Sequence, residues 1–128
     1  MILESNWRNK SLESLEKEQW QIFDSDSRLI RRTKELRRLP LESLTVEDLR
    51  LMIHQGFALE YLIPLAMEKL MENILAEGNL YKGDLLLAVV NSRQDYWDKS
   101  LGQKQKLVEL INNNKELIKE EGLEIELQ

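Results

Sequence analysis

The segment Thr45–Gly56, which reads TVEDLRLMIHQG, decides the fold class. A threonine followed three residues later by Asp48 predicts a helix start, because the threonine oxygen can accept the Asp48 backbone N–H and a carboxylate is favourable in a first turn. Gly56 predicts the end of this helix, because glycine adopts the left-handed backbone that closes a helix. Apolar residues recur between these signals at helical spacing. They are Val46, Leu49 and Ile53.

The residues that follow are also helical in pattern. Pro64 suits the first turn of a helix, so we predict a link over 57–63 and a helix from about Ile63 to Asn73. Leu85 to about Asn91 is so uniformly apolar that it should form the buried centre. Gln103–Glu121 is the longest periodic stretch, and we predict one continuous helix there.

Two further helices are predicted on the N-terminal side. Ser11 can cap a first helix that runs towards Trp20 and Phe23. A second helix should cover 28–38 and end before Pro40. Its inward stripe is predicted to be Leu29, Thr33 and Leu36, and its other faces carry Arg31, Arg32, Lys34, Arg37 and Arg38.

Strand signals are nearly absent from the chain. The only alternating stretch is the tail at 123–128, which has no partner strand and is expected to be extended or frayed. We therefore predict an all-α fold, a single compact bundle of about six or seven helices that forms one domain over residues 1–128.

Composition argues against several kinds of chemistry. The chain of 128 residues has no cysteine and one histidine, His54, so a thiolate nucleophile and a two-histidine metal site are both excluded. We expect no enzyme activity, no catalytic or metal-binding residues and no cofactor. No apolar run is long enough to cross a bilayer and no secretory signal is visible, so we expect a cytoplasmic protein.

The net charge of −5 is concentrated in the middle of the sequence. Residues 41–84 carry eight Asp/Glu and three Lys/Arg, which alone accounts for the imbalance. An acidic surface repels nucleic acid and anionic membrane and attracts basic proteins. We therefore predict a protein-binding surface for a basic partner. The candidate contact residues, chosen by charge and expected exposure, are Glu60, Glu68, Glu72, Glu77 and Asp84.

Two other functions remain open at this point. The basic helix 28–38 could hold nucleic acid in a small regulator, although it lacks aromatic residues to stack on bases. Glu68 and Glu72 lie four residues apart and share a helix face, so they could form a carboxylate acid/base site. Such a site would need further inward ligands, and the Glu-x-x-His motif of helical dimetal sites is absent.

A series of short motifs over about residues 10–97 resembles an all-helical family of immunity proteins from contact-dependent growth inhibition (CDI) systems. One position departs from the pattern, since Ile74 stands where proline is expected after the asparagine. The motifs that carry the resemblance are Lys10-Ser11-Leu12-Glu13, Leu39-Pro40-Leu41, Leu44-Thr45-Val46-Glu47-Asp48-Leu49-Arg50, Gln55-Gly56, Tyr61-Leu62-Ile63-Pro64-Leu65-Ala66, Glu68-Lys69-Leu70, Asn73, Leu75-Ala76-Glu77-Gly78, Tyr81-Lys82-Gly83-Asp84-Leu85-Leu86 and Tyr96-Trp97.

The resemblance implies a function but no site. Members of such a family bind a cognate toxin domain in the cytoplasm and block its active site or its access to substrate. Many such toxins are nucleases, which are basic where they hold phosphate, so the acidic middle of this chain has the complementary sign. The resemblance thus implies an inhibitor that binds a toxin domain. The acidic charge favours a basic partner over nucleic acid or membrane, and we favour a monomer over an oligomer. The shared motifs look structural, so the contact residues above rest on charge and expected exposure alone.

Overall fold

The structure, a computed structural model, describes residues 5–126. The chain divides into an N-terminal unit up to Thr45 and a C-terminal unit from Val46. Within the described residues the only strand-like pairing is an isolated bridge between Glu77 and Lys82, so the all-α prediction is confirmed. That the whole chain forms one domain stays a prediction. The α-helices of residues 5–126 are α1 (Leu12–Glu16), α2 (Arg28–Leu36), α3 (Val46–His54), α4 (Leu59–Glu72), α5 (Asp84–Val90), α6 (Gln94–Asp98), α7 (Leu101–Asn113) and α8 (Lys115–Glu120), with short 3-10 helices at Trp7–Asn9 and Leu41–Ser43.

The first helix is much shorter than the sequence suggested. Ser11 caps α1 as predicted, since its hydroxyl oxygen accepts the Ser14 backbone N–H at 3.2 Å. The continuation towards Trp20 is wrong, because Lys17 adopts a left-handed conformation with φ of +54° and ends the helix. The chain is then irregular until Ser27, whose hydroxyl accepts the Ile30 N–H and caps α2.

The inward face of α2 also differs in part from the prediction. Thr33 and Leu36 are buried, whereas Leu29 is 45% exposed, so its predicted burial is wrong. Arg37, immediately after the helix, is buried instead. The Glu13 N–H donates to the Arg37 carbonyl, and this bond joins the start of α1 to the end of α2.

The centre of the C-terminal unit is built from α3, α4 and α5, each of which packs against the other two. The predicted central position of α5 is confirmed. α7 contacts α4 and α6 along the edge of this group. Fully buried residues of the three central helices include Leu49, Met52, Ile53, Leu62, Ile63, Ala66, Leu70, Leu85, Leu86 and Val89.

The sequence-based prediction for the C-terminal unit is most in error at the start of α4. α3 stops before Gly56 as predicted (φ +79°), but α4 begins at Leu59 and contains Pro64 in its interior. A proline there removes only the N–H that would bond the Glu60 carbonyl. Burial of Leu59 and Leu62 in the first turns outweighs the loss of that bond, so the helix starts early.

The last predicted helix is in fact two. α7 and α8 are separated at Asn114, whose side-chain amide donates to the Leu110 carbonyl at 2.8 Å and so competes with the helical bond pattern. Leu117, in α8, is 48% exposed. Gly122 ends α8, and residues 123–126 are neither helix nor strand, in agreement with the expected tail; residues 127 and 128 lie outside the described residues.

Candidate functional site

The outer face of α4 carries three of the five predicted contact residues. Glu60, Glu68 and Glu72 are all exposed. Positions 60, 68 and 72 follow the four-residue repeat that keeps side chains near one helix face, and Met71 lies on the same face with 71% of its surface exposed. We call Glu60, Glu68 and Glu72 the acidic stripe. It covers three turns of a helix whose opposite face is buried.

The other two predicted contact residues behave differently. Glu77 is exposed on the loop between α4 and α5. Asp84 is only 2% exposed, so its expected exposure is wrong. Its carboxylate accepts the backbone N–H groups of Gly78 at 2.7 Å and Leu80 at 3.0 Å, and more weakly that of Tyr81 at 3.4 Å. Asp84 therefore organises the loop from inside.

A second carboxylate holds the same loop. Glu47 accepts the Asn79 N–H at 2.8 Å, and it forms two hydrogen bonds of 2.6 Å with the Arg50 guanidinium one turn further along α3. The Arg50 hydrogen bonds lower the pKa of Glu47 below its ordinary value of 4.5, against the opposing effect of burial. Arg50 Nε also lies 3.8 Å from Asp84. The Arg50 guanidinium thus lies beside two inward carboxylates.

The acidic middle of the sequence is therefore split by the fold into two groups. Glu47, Asp48 and Asp84 are buried or half-buried, and two of them order the loop. Sequence reasoning missed the structural role of Glu47 and Arg50, although their spacing of three residues on a helix predicts an ion pair. Among the acidic residues of 46–84, those that remain exposed are Glu60, Glu68, Glu72 and Glu77.

Three cations of the basic helix 28–38, Arg31, Lys34 and Arg37, bond to residues of the segment 16–26. Arg31 donates to the Phe23 carbonyl, and Lys34 pairs with Asp26 at 2.8 Å. The hydrogen bond from Lys34 lowers the pKa of Asp26. Arg37 is buried, lies over the Trp20 ring, and bonds the Glu16 carboxylate and the Glu18 carbonyl.

These contacts bear on the nucleic-acid alternative. Because these side chains already have acceptors within their own unit, they are poorly placed to release counterions from a phosphate backbone.

The carboxylate alternative gains no geometric support. Glu68 and Glu72 are both exposed on the surface of α4, so no enclosed site surrounds them. No group of three acidic, histidine or cysteine side chains within residues 5–126 is arranged to hold a metal ion. In that same range no helix is both long and apolar enough to cross a membrane.

An ordered helical scaffold with a row of exposed carboxylates is typical of a protein-binding domain. The family model of CDI immunity proteins matches residues 14–107, well over half of the 128 residues. The chain belongs to this family, which confirms the resemblance seen over about 10–97. Its function is immunity against a CDI toxin, and its partner is a cognate toxin protein. No curated protein and no solved structure gave a significant match.

Proposed function

We propose that this chain neutralises the toxin domain of its own CDI system as a stoichiometric inhibitor, by covering the toxin's active site or the path of its substrate. The toxin is a nuclease with a basic active-site surface. The inhibitor acts in the cytoplasm as a monomer, needs no cofactor and catalyses nothing. The observation that carries the proposal is the exposed acidic stripe of Glu60, Glu68 and Glu72 on a chain that belongs to the CDI immunity proteins.

Charge explains how such a surface would act. A nuclease holds phosphate with cationic side chains, and a row of carboxylates on a rigid helix presents charges of the same sign as its substrate. Glu68 and Glu72 lie on the last turns of α4, where helix packing holds the backbone still. Complementary charge speeds encounter with the toxin, while the like charge of nucleic acid keeps the inhibitor off the toxin's substrate.

The first experiment tests immunity itself. The toxin domain encoded next to this chain is expressed from an inducible promoter, with and without the chain. We expect growth to stop with the toxin alone and to continue when the chain is present. Continued killing despite accumulation of the intact chain contradicts the proposal. A catalytically inactive toxin variant then provides the partner for binding measurements.

The second experiment tests the surface. Glu68→Lys/Glu72→Lys is compared with Glu116→Lys/Glu120→Lys, a matched control on α8 with the same four-residue spacing, the same exposure and the same change in net charge. At low salt we expect the α4 variant to slow association about tenfold and the α8 variant to slow it less than about threefold. Equal association rates for the two variants would remove the acidic stripe from the interface.

A further inference from the structure

We propose that Leu80 and Tyr81, presented by the loop 73–83 between α4 and α5, are the apolar anchor of the toxin interface. This proposal rests on the proposed function and adds to it the residues that hold the complex together after charge has brought the partners into contact. The loop joins the end of the acidic stripe to the central helix α5. We call it the anchor loop.

The backbone of the anchor loop is held in one conformation. Four consecutive amides, those of residues 78–81, donate to the Asp84 or Glu47 carboxylates. The Gly83 N–H donates to the Leu75 carbonyl at 3.2 Å, which ties the end of the loop to its beginning. A loop whose backbone is already ordered loses little backbone freedom on binding, so only the ordering of its side chains offsets the contacts that they make.

The side chains at the tip of the anchor loop are exposed. Leu80 is 62% exposed and Tyr81 is 45% exposed, although the backbone amides of both residues face inward. Single exposed apolar residues are common, but two adjacent ones on a loop fixed by buried carboxylates form a rigid apolar projection. A leucine and a tyrosine presented in this way fit the central, desolvated part of an interface, where a few anchors supply most of the affinity.

The charges around Leu80 and Tyr81 indicate which kind of partner binds the anchor loop. Glu77 is exposed in the part of the loop that precedes Leu80, and Glu72 is the last residue of α4. Lys82 is the only exposed cation of residues 73–83. An apolar anchor with an acidic surround fits a basic partner that has an apolar pocket. A second copy of this chain fits poorly, because symmetric pairing would place glutamates against glutamates. The toxin domain is therefore the occupant we assign.

The test uses truncation of the anchors in the full-length chain. Leu80→Ala and Tyr81→Ala are compared with Leu101→Ala, a control at a leucine of similar exposure (68%) on α7. We expect each anchor variant to bind the inactive toxin domain at least tenfold more weakly, mainly through faster dissociation. Leu101→Ala should stay within twofold of the unmodified chain. Because all three side chains are exposed, thermal unfolding of the three variants should be nearly unchanged.

The two proposals fail in different ways. If the unmodified chain does not bind the toxin domain, the proposed function is wrong. If it binds and both anchor variants also bind within twofold, the toxin interface lies elsewhere and the anchor proposal is overturned. A toxin affinity that is unchanged while the anchor variants alter the sedimentation mass of the free chain would assign the loop to self-association, which also overturns it.

Discussion

Replacing Gly78 by alanine tests whether two carboxylates organise the anchor loop. A Cβ at this position would lie 2.5 Å from Glu47 Oε1, closer than real Cβ contacts allow, and 3.1 Å from Asp84 Oδ2, which is tight. The nearest atom is the end of a side chain, but it is not free to swing away, because it already accepts hydrogen bonds from Asn79 and Arg50. The Glu47 Cα, at 3.2 Å, limits movement of the loop itself.

The expected change in the free energy of unfolding follows from the hydrogen bond that the alanine would break. Displacing the Glu47 carboxylate costs its bond to the Asn79 N–H, and a hydrogen bond to a charged group contributes about 1.5–3 kcal/mol. Alanine recovers about 0.4–1 kcal/mol by restricting the unfolded chain. We therefore expect Gly78→Ala to lower the free energy of unfolding by about 1.5 kcal/mol, and the melting temperature by about 6 °C for a chain of this size.

The measurements are urea unfolding followed by circular dichroism, and amide hydrogen exchange at Asn79. The control is Gly102→Ala in α7, because a Cβ there meets nothing within 4 Å. That variant should be more stable by about 0.8 kcal/mol, since alanine is the better helix former. If Gly78→Ala is as stable as Gly102→Ala, or if Asn79 keeps its protection from exchange, the proposed organisation of the loop is wrong.

Three further predictions concern the same framework and the N-terminal unit. Because Arg50 lowers the pKa of Glu47 below 4.5, the pair stabilises the fold above that pH, and this stabilisation is lost as the pH falls through the lowered pKa. Glu47→Gln should therefore lose less unfolding free energy than the unmodified chain between about pH 5 and pH 3. If the two chains give parallel plots of unfolding free energy against pH, this prediction is refuted. Arg37→Met should cost about 1–2 kcal/mol in urea unfolding, because the partly exposed Glu16 carboxylate and the Glu18 carbonyl lose a charged hydrogen-bond donor. Arg32→Met, whose ion pair is about half exposed, should cost less than about 0.5 kcal/mol. Ser27→Ala should cost about 1 kcal/mol through loss of the α2 cap and Ser27→Asp should restore it; equal stability of all three chains would contradict the role of the cap.

The sequence predicted those parts of the fold that depend on local signals. Gly56 and Gly122 end their helices where expected, with positive φ at both. Ser11 likewise caps the helix it was expected to cap, and the apolar run after Asp84 is the buried centre. These features follow from one residue and its near neighbours, so they are legible without the tertiary structure.

The errors share a different cause. α4 continues through Pro64 because the residues before it are buried, and tertiary burial outweighs the loss of one helical bond. α1 ends at Lys17, and the next residues are held by the guanidinium and ammonium groups of a later helix. Both outcomes depend on partners distant in sequence, and a single sequence does not say which segments will meet.

The prediction of the contact residues failed at Asp84 for a similar reason, because a single sequence does not say which groups will surround a carboxylate. Charge and expected exposure selected Asp84 together with four glutamates, yet Asp84 serves three amides of its own loop. The signal that separates the two groups is whether backbone donors and a cation lie within reach of a carboxylate. Arg50 supplies that cation for the inward group. The spacing of Glu47 and Arg50 was visible in the sequence, but the approach of Asn79, 32 residues later, was not.

Inward and outward residues alternate closely along the anchor loop. Glu77 faces solvent while Gly78 lies against two carboxylates, and the exposed Tyr81 is followed within three residues by the buried Asp84. A substitution at Glu77, Leu80 or Tyr81 alters the surface without touching the hydrogen bonds that fix the backbone. The loop can therefore take a new recognition surface on an unchanged frame. Residues such as Gly78 and Asp84, which carry the resemblance to the family, hold the loop backbone. They therefore do not indicate which toxin the exposed side chains bind.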